Sequence, residues 1–156
     1  DRKSVMQGKR VELGGGERMR DERAKVVARL EAHLGSLQAQ LFQLETYAQE
    51  TEKRWMNGAH SQISGELLRH HYQFMGRLQH AMSLQMDVIS AARNDIAVAR
   101  SAQMLVEVRL HGLREVLNKR RKHMERVEVR REQHRSDEFA ALAHARNVKV
   151  GEHYDD

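Results

Sequence analysis

The sequence of 156 residues contains no proline and no cysteine, and only 4% of its residues are aromatic. Because proline is the main helix breaker, its absence permits long uninterrupted helices. Sandwiches and doubly wound sheets are excluded, since their turns use Pro and Gly and their strands use β-branched and aromatic residues. The lack of cysteine excludes disulfides, thiol catalysis and thiolate metal sites, and it is compatible with a reducing compartment. The composition therefore predicts an elongated helical protein.

Long apolar runs are missing as well. No stretch approaches the roughly 18 consecutive apolar residues of a membrane span, and the first eight residues lack the apolar core of a secretory signal. The absence of an initiator Met indicates a trimmed or partial chain. The length allows one domain. A net charge of +5 permits acidic partners, without choosing among nucleic acid, a membrane surface and protein.

Two segments carry apolar residues spaced alternately three and four apart, the heptad pattern of a coiled coil. We call each row of such positions a seam. The first seam comprises Val27, Leu30, Leu34, Leu37, Leu41, Leu44, Ala48, Thr51 and Trp55. The second comprises Leu68, His71, Met75, Leu78, Met82, Gln85, Ile89, Ala92, Ile96, Ala99, Gln103, Val106, Leu110, Leu113, Leu117, Arg120, Met124 and Val127. Residues 57–65 between them place Gly and Ser where a turn uses them, and Ser61 or Ser64 is expected to cap the following helix.

We predict an all-α fold, a long antiparallel two-helix coiled-coil hairpin whose second helix is longer than the first. The expected order is a weakly structured segment, a helix, a turn, a second helix and a frayed tail, over residues 1–16, 17–57, 58–65, 66–147 and 148–156. Gly14-Gly15-Gly16 places residues 1–16 outside the helix, because each glycine costs a helix about 1 kcal/mol. Pairing about residue 61 leaves residues from Ala99 to Val127 without a strong partner in the chain, although Met6 and Leu13 continue the seven-residue step of the first seam and would extend the hairpin weakly past the glycines. The apolar stripe from Val106 to Val127 is therefore expected to be covered by another protein or by self-association.

No motif for catalysis or metal binding is found. His70, His71 and His80 lack the i, i+4 spacing with a third ligand that a helical zinc site needs. Gly14-Gly15-Gly16 lacks the preceding strand and the following Gly-Lys-Ser/Thr of a phosphate loop. Two paired helices also offer little concavity for chemistry. We therefore predict no enzyme activity, no cofactor and no metal.

Two other features suggest binding. From Lys119 to Arg135 the chain has eight basic and three acidic residues, an excess equal to its net charge of +5. This run is either a solvated coiled-coil face or a contact for a partner, and its recurring glutamates make nucleic acid the less favoured partner. Most aromatics gather near the turn: Phe42, Tyr47, Trp55, Tyr72 and Phe74. Because Tyr47, Tyr72 and Phe74 lie off the seams, we expect exposed aromatics there, as in a protein-binding hot spot.

Three runs resemble the FliJ family of flagellar type III export. They are Leu41-Phe-Gln-Leu-Glu-Thr-Tyr47-Ala-Gln-Glu50, Tyr72-Gln-Phe74-Met-Gly-Arg-Leu78-Gln-His-Ala81 and Arg130-Arg-Glu-Gln133-His-Arg-Ser-Asp137-Glu138-Phe139-Ala140. Their order and spacing extend the resemblance over roughly residues 24–146. Two departures stand out: Val11-Glu-Leu-Gly-Gly-Gly16 is unlike the family's leucine-bearing first helix, and Thr51 stands where relatives often carry a second tyrosine.

The resemblance implies a non-catalytic cytoplasmic rod, similar to the stalk of rotary ATPases and peripherally associated with the inner membrane at the flagellar base. Its terminal part would enter the hexameric export ATPase ring, its tip would contact the membrane-embedded export gate, and it would escort export chaperones. The implied gate-binding residues are Gln40, Leu44, Tyr47, Thr51, Phe74, Leu78, Ala81 and Gln85. The implied ring-binding residues are Leu113, Leu117, Arg121, Lys122, Arg126, Arg130 and Arg131. The alternatives are an injectisome ATPase stalk and a basic coiled-coil nucleic-acid-binding protein, and no small-molecule substrate is expected.

Overall fold

The chain folds into two long helices. A computed structural model describes residues 2–58 and 63–151. Helix α1 spans Arg2–Gly58 and helix α2 spans Gly65–Gly151, with 57 and 87 residues. The two helices pack against each other as a helical hairpin whose second helix is the longer. The predicted all-α hairpin is confirmed.

Contacts within the hairpin form two compact units, one of Gly15–Val108 and one of Asp1–Gly14 together with Arg109–Asp156. The core of the unit Gly15–Val108 consists of one row of seam residues on each helix. Its buried side chains are Val27, Leu37, Ala48, Leu78, Ile89, Ile96 and Val106. Every one of them stands at a predicted seam position, because a 3.5-residue repeat keeps one line of each helix facing its partner. Leu68, at the start of the second seam, is exposed.

Polar contacts between α1 and α2 fix their register in this unit. Gln85 occupies a seam position, and its Nε2 donates to the Leu37 carbonyl oxygen at 3.0 Å and to Gln40 Oε1 at 3.1 Å. Arg100 forms an ion pair with Glu31 across the two helices. A half-buried amide that finds both partners in only one alignment opposes sliding of the helices, which is the usual role of a polar residue in a seam.

The unit that combines both ends of the chain contains the most buried side chain in the described residues. Leu110 is only 3% exposed, whereas Leu113, Leu117 and Val127 are half-buried and Met124 is exposed. The prediction that the stripe from Val106 to Val127 lacks a strong partner is therefore wrong for Val106 and Leu110. Helix α1 begins earlier than predicted, and this added length supplies a partner where only a weak extension of the hairpin was expected.

The structure also corrects the boundaries of the elements. Residues 2–16 belong to α1, although a weakly structured segment was predicted there. Helix propensity is a weak prior that tertiary packing overrides, and Met6 and Leu13, which continue the heptad step, are half-buried. Helix α2 extends to Gly151, beyond the predicted end at 147. Residues 59–62 of the predicted turn and 152–156 of the predicted tail lie outside the described residues.

Ser64 caps α2. Its hydroxyl accepts a hydrogen bond from the Leu67 N–H at 3.2 Å, and its carbonyl accepts one from the Leu68 N–H at 3.1 Å. This is the N-cap arrangement, in which a side-chain oxygen satisfies a free donor of the first turn. Glu66 adds a favourable negative charge at the same end of the helix. Of the two predicted caps, Ser64 is confirmed and Ser61 lies outside the described residues.

Candidate interaction surfaces

Aromatic side chains lie together where α1 ends and α2 begins. The rings of Tyr47 and Phe74 meet edge to face, with centroids 6.0 Å apart and planes at 84°. Trp55 stacks on His71 with centroids 4.0 Å apart and planes 3° from parallel. The His71 ring also lies 6.0 Å from that of Tyr72. We call these five residues the tip cluster.

The tip cluster is divided between seam and surface. Trp55 and His71 hold half-buried seam positions, so their stack closes this end of the seam. Tyr47, Tyr72 and Phe74 are exposed, which confirms the expectation from their off-seam positions. Tyr47 and Phe74 contact each other while both remain exposed. This contact restricts the two rings, and side chains that are already ordered lose less entropy on binding a partner.

The eight implied gate-binding residues differ in accessibility. Gln40, Tyr47 and Phe74 are exposed, and Leu44, Thr51 and Ala81 are half-buried. Leu78 is buried in the core, and the Gln85 amide is engaged by α1. The structure therefore brings Tyr47 and Phe74 into one accessible patch, while Leu78 and Gln85 support the packing of the helices beneath it.

The seven implied ring-binding residues divide in the same way. Leu113 and Leu117 are half-buried, and the five basic residues are exposed. Arg121 is engaged within its own helix, because its guanidinium donates to Asn118 Oδ1 at 3.0 Å and lies 3.8 Å from Glu125 Oε1. Within residues 2–58 and 63–151, Lys122, Arg126, Arg130 and Arg131 form no ion pair. We call these last four residues the basic face.

The basic face lies on a part of α2 where most residues are exposed to solvent. Every residue from 128 to 151 is exposed. A shallow groove of about 340 Å³ lies along this face between Lys122 and Arg130, and its lining also includes Glu125 and Val129. Guanidinium groups without carboxylate partners on an open helix are suited to an acidic protein surface or to phosphates.

A second groove combines both ends of the chain and was not foreseen as a site. It has a volume of about 290 Å³ and is lined by Met6, Arg10, Leu13, Arg114, Leu117, Asn118 and Arg121. Its α1 side was not predicted as a site because residues 1–16 were expected to be only weakly structured. The seven-residue step from Met6 to Leu13 continues the first seam, but beside three glycines it indicated only a weak extension of the hairpin.

Among the residues that the structure describes, no three His, Asp or Glu side chains are grouped to hold a metal ion. In the same ranges, neither helix has a stretch that is long and apolar enough to cross a membrane. The fold and these surfaces define a coiled-coil-like helical hairpin whose accessible features include an aromatic patch and a basic face.

The comparison with known families identifies this hairpin further. A family model described as Flagellar FliJ protein matches residues 16–149, and the chain belongs to this family. No curated protein and no solved structure matches the chain. Membership makes the chain a component of the flagellar export apparatus, in a family that is generally non-catalytic.

Proposed function

We propose that the chain is a non-catalytic subunit that couples the hexameric flagellar export ATPase to the membrane-embedded export gate and escorts export chaperones. It works in the cytoplasm, at the inner membrane of the flagellar base. The exposed Tyr47–Phe74 pair carries this proposal, because it provides a preordered aromatic anchor among the residues that family resemblance assigns to gate binding.

The aromatic pair suits a protein partner better than a core role. Both rings stay accessible while they contact each other, so a partner would bury them without first ordering them. Aromatic residues of this kind dominate binding energies at protein interfaces. Removal of both rings should therefore weaken binding to the gate far more than it weakens the hairpin.

The test is the double variant Tyr47→Ala, Phe74→Ala, compared with Phe42→Ala. The control removes a phenylalanine that is 68% exposed and stands outside both the gate-binding set and the tip cluster. We expect the first variant to impair motility and to lose affinity for the cytoplasmic part of the gate, with a helical melt close to wild type. Wild-type motility of the first variant, or equal loss in both, would remove the gate-binding role.

The basic face supports the ATPase-binding half of the proposal. Its four cations lack carboxylate partners among the described residues and therefore keep their charge available to an acidic surface. Reversal of Arg130 and Arg131 to Glu should weaken binding to the ATPase. Reversal of Arg23 and Arg29, two exposed arginines on α1, changes the net charge equally and should leave binding intact. Unchanged affinity in the first variant would mean that the basic face is only solvated.

A nucleic-acid-binding role would use the same cations. Assays of the purified chain with the export ATPase and with DNA distinguish this role from the proposed one. The purified chain should stimulate assembly or hydrolysis of the export ATPase and should retain export chaperones freed of their cargo. A salt-dependent shift of DNA mobility at micromolar protein, with no effect on the ATPase, would instead favour nucleic acid. An effect only on an injectisome ATPase would assign the chain to that system.

A further inference from the structure

The middle of α2 is apolar on a side that the hairpin leaves uncovered. Leu84, Ala91, Val98 and Leu105 recur every seven residues and therefore form one line along the helix. This line is displaced from the seam, and all four residues are exposed, Val98 to 71%. Met104 and Val108 extend the same surface and are exposed as well. We call these six residues the outer face.

The apolar area of the outer face is larger than that of single apolar residues scattered over a protein surface. Its exposed side chains leave on the order of 500 Å² of apolar area, which is near the upper end of patches found on monomers and typical of interaction sites. An amphipathic surface helix would place polar residues here instead. The line extends over residues 84–105, which is long enough for a second helix to lie along it.

Two carboxylates flank the outer face and favour a partner with positive charge. Asp87 stands three residues after Leu84 and Asp95 three before Val98, so they border the line on opposite sides. Both are exposed. In the part of the chain that the structure describes, neither forms an ion pair. They are the acidic residues between 83 and 106, in a chain whose net charge is +5.

A second copy of the chain fits this face poorly. The line is centred between Asn94 and Asp95, so an antiparallel partner copy would place its own Asp95 close to the first one. Two unpaired carboxylates beside an apolar contact repel each other. A partner with Lys or Arg at both edges of its apolar face would instead pair each of them.

We propose that the outer face docks an amphipathic helix of another protein, with Leu and Ala on its contact side and Lys or Arg along both edges of that side. Apolar contact with Val98 and Leu105 supplies the affinity, and Asp87 and Asp95 select the basic edges. This inference concerns residues outside both the tip cluster and the basic face.

The test uses two designed helical peptides of about 21 residues, long enough to span the line at 1.5 Å per residue. Both have Leu and Ala on the contact side, and the edges carry Lys in one and Glu in the other. We expect the full chain to bind the Lys peptide about tenfold more tightly, which two pairs at the edge of an interface can supply. Fluorescence anisotropy of the labelled peptides measures both affinities.

Variants of the chain show where the peptide binds and distinguish the apolar contact from the charge selection. Val98→Asp should abolish binding, whereas Val11→Asp, an equivalent change at a valine of α1 that is 72% exposed and outside the named surfaces, should not. Asp87→Asn with Asp95→Asn should remove the preference for the Lys peptide. Equal binding of both peptides, no binding, or binding that survives Val98→Asp would overturn the proposal. So would a dimer in analytical ultracentrifugation that Val98→Asp dissociates, because a second copy would then occupy the face.

Discussion

The glycines at the start of α1 give the sharpest test of the hairpin. Gly14 and Gly15 are helical, and a Cβ placed on either meets no atom within 4 Å. Alanine at both positions therefore introduces no clash and should stabilise the helix by about 1 kcal/mol at each site. We expect Gly14→Ala, Gly15→Ala to raise the free energy of unfolding by roughly 2 kcal/mol, read from urea denaturation by circular dichroism.

The control is Gly35→Ala, which lies inside α1 and also leaves its added Cβ without a neighbour within 4 Å. It should stabilise by about 1 kcal/mol whether or not residues 2–16 are helical. Hydrogen exchange of the amides from 8 to 20 should slow in the double variant alone. If Gly35→Ala stabilises and the double variant does not, residues 2–16 are not held as helix, and the added length of α1 cannot explain the burial of Leu110.

Three further outcomes follow from individual contacts. Leu110→Ala should cost about 3 kcal/mol in urea denaturation because the side chain is almost fully buried, whereas exposed Leu105→Ala should cost little. Ser64→Ala should cost about 1 kcal/mol in the same measurement through loss of the N-cap. Removal of the ring stacked on Trp55 by His71→Ala should shift the fluorescence of this single tryptophan, and an unchanged spectrum would contradict the stack.

The seams were predictable because a sustained apolar repeat of 3.5 residues specifies a coiled coil. A row such as Ile89, Ile96 and Val106 recurs with a period that no strand or surface helix matches, and the partner helix is forced to cover it. The exposure of Tyr47 and Phe74 followed from the same pattern, since residues off the seam face outward. The contact between these two rings also depends on the register, which the Gln85 amide fixes through Leu37 and Gln40.

The start of α1 was not predictable, because local propensity and long-range packing disagree there. Three consecutive glycines disfavour a helix, whereas the step from Met6 to Leu13 favours continuation of the seam. The outcome depends on whether the far end of α2 offers a partner, which no local window contains. For that reason, the groove lined by Arg10 and Arg121 was not predicted.

Binding and stability are separable in this protein because its core is so narrow. The buried side chains form one row on each helix, so large apolar residues elsewhere contribute little to folding. Val98 and Phe74 are exposed, so each adds little to the stability of the folded chain and leaves apolar area open to a partner. Substitutions at such positions should therefore change affinity while the urea midpoint stays in place, whereas substitutions of the buried seam residues should lower the urea midpoint.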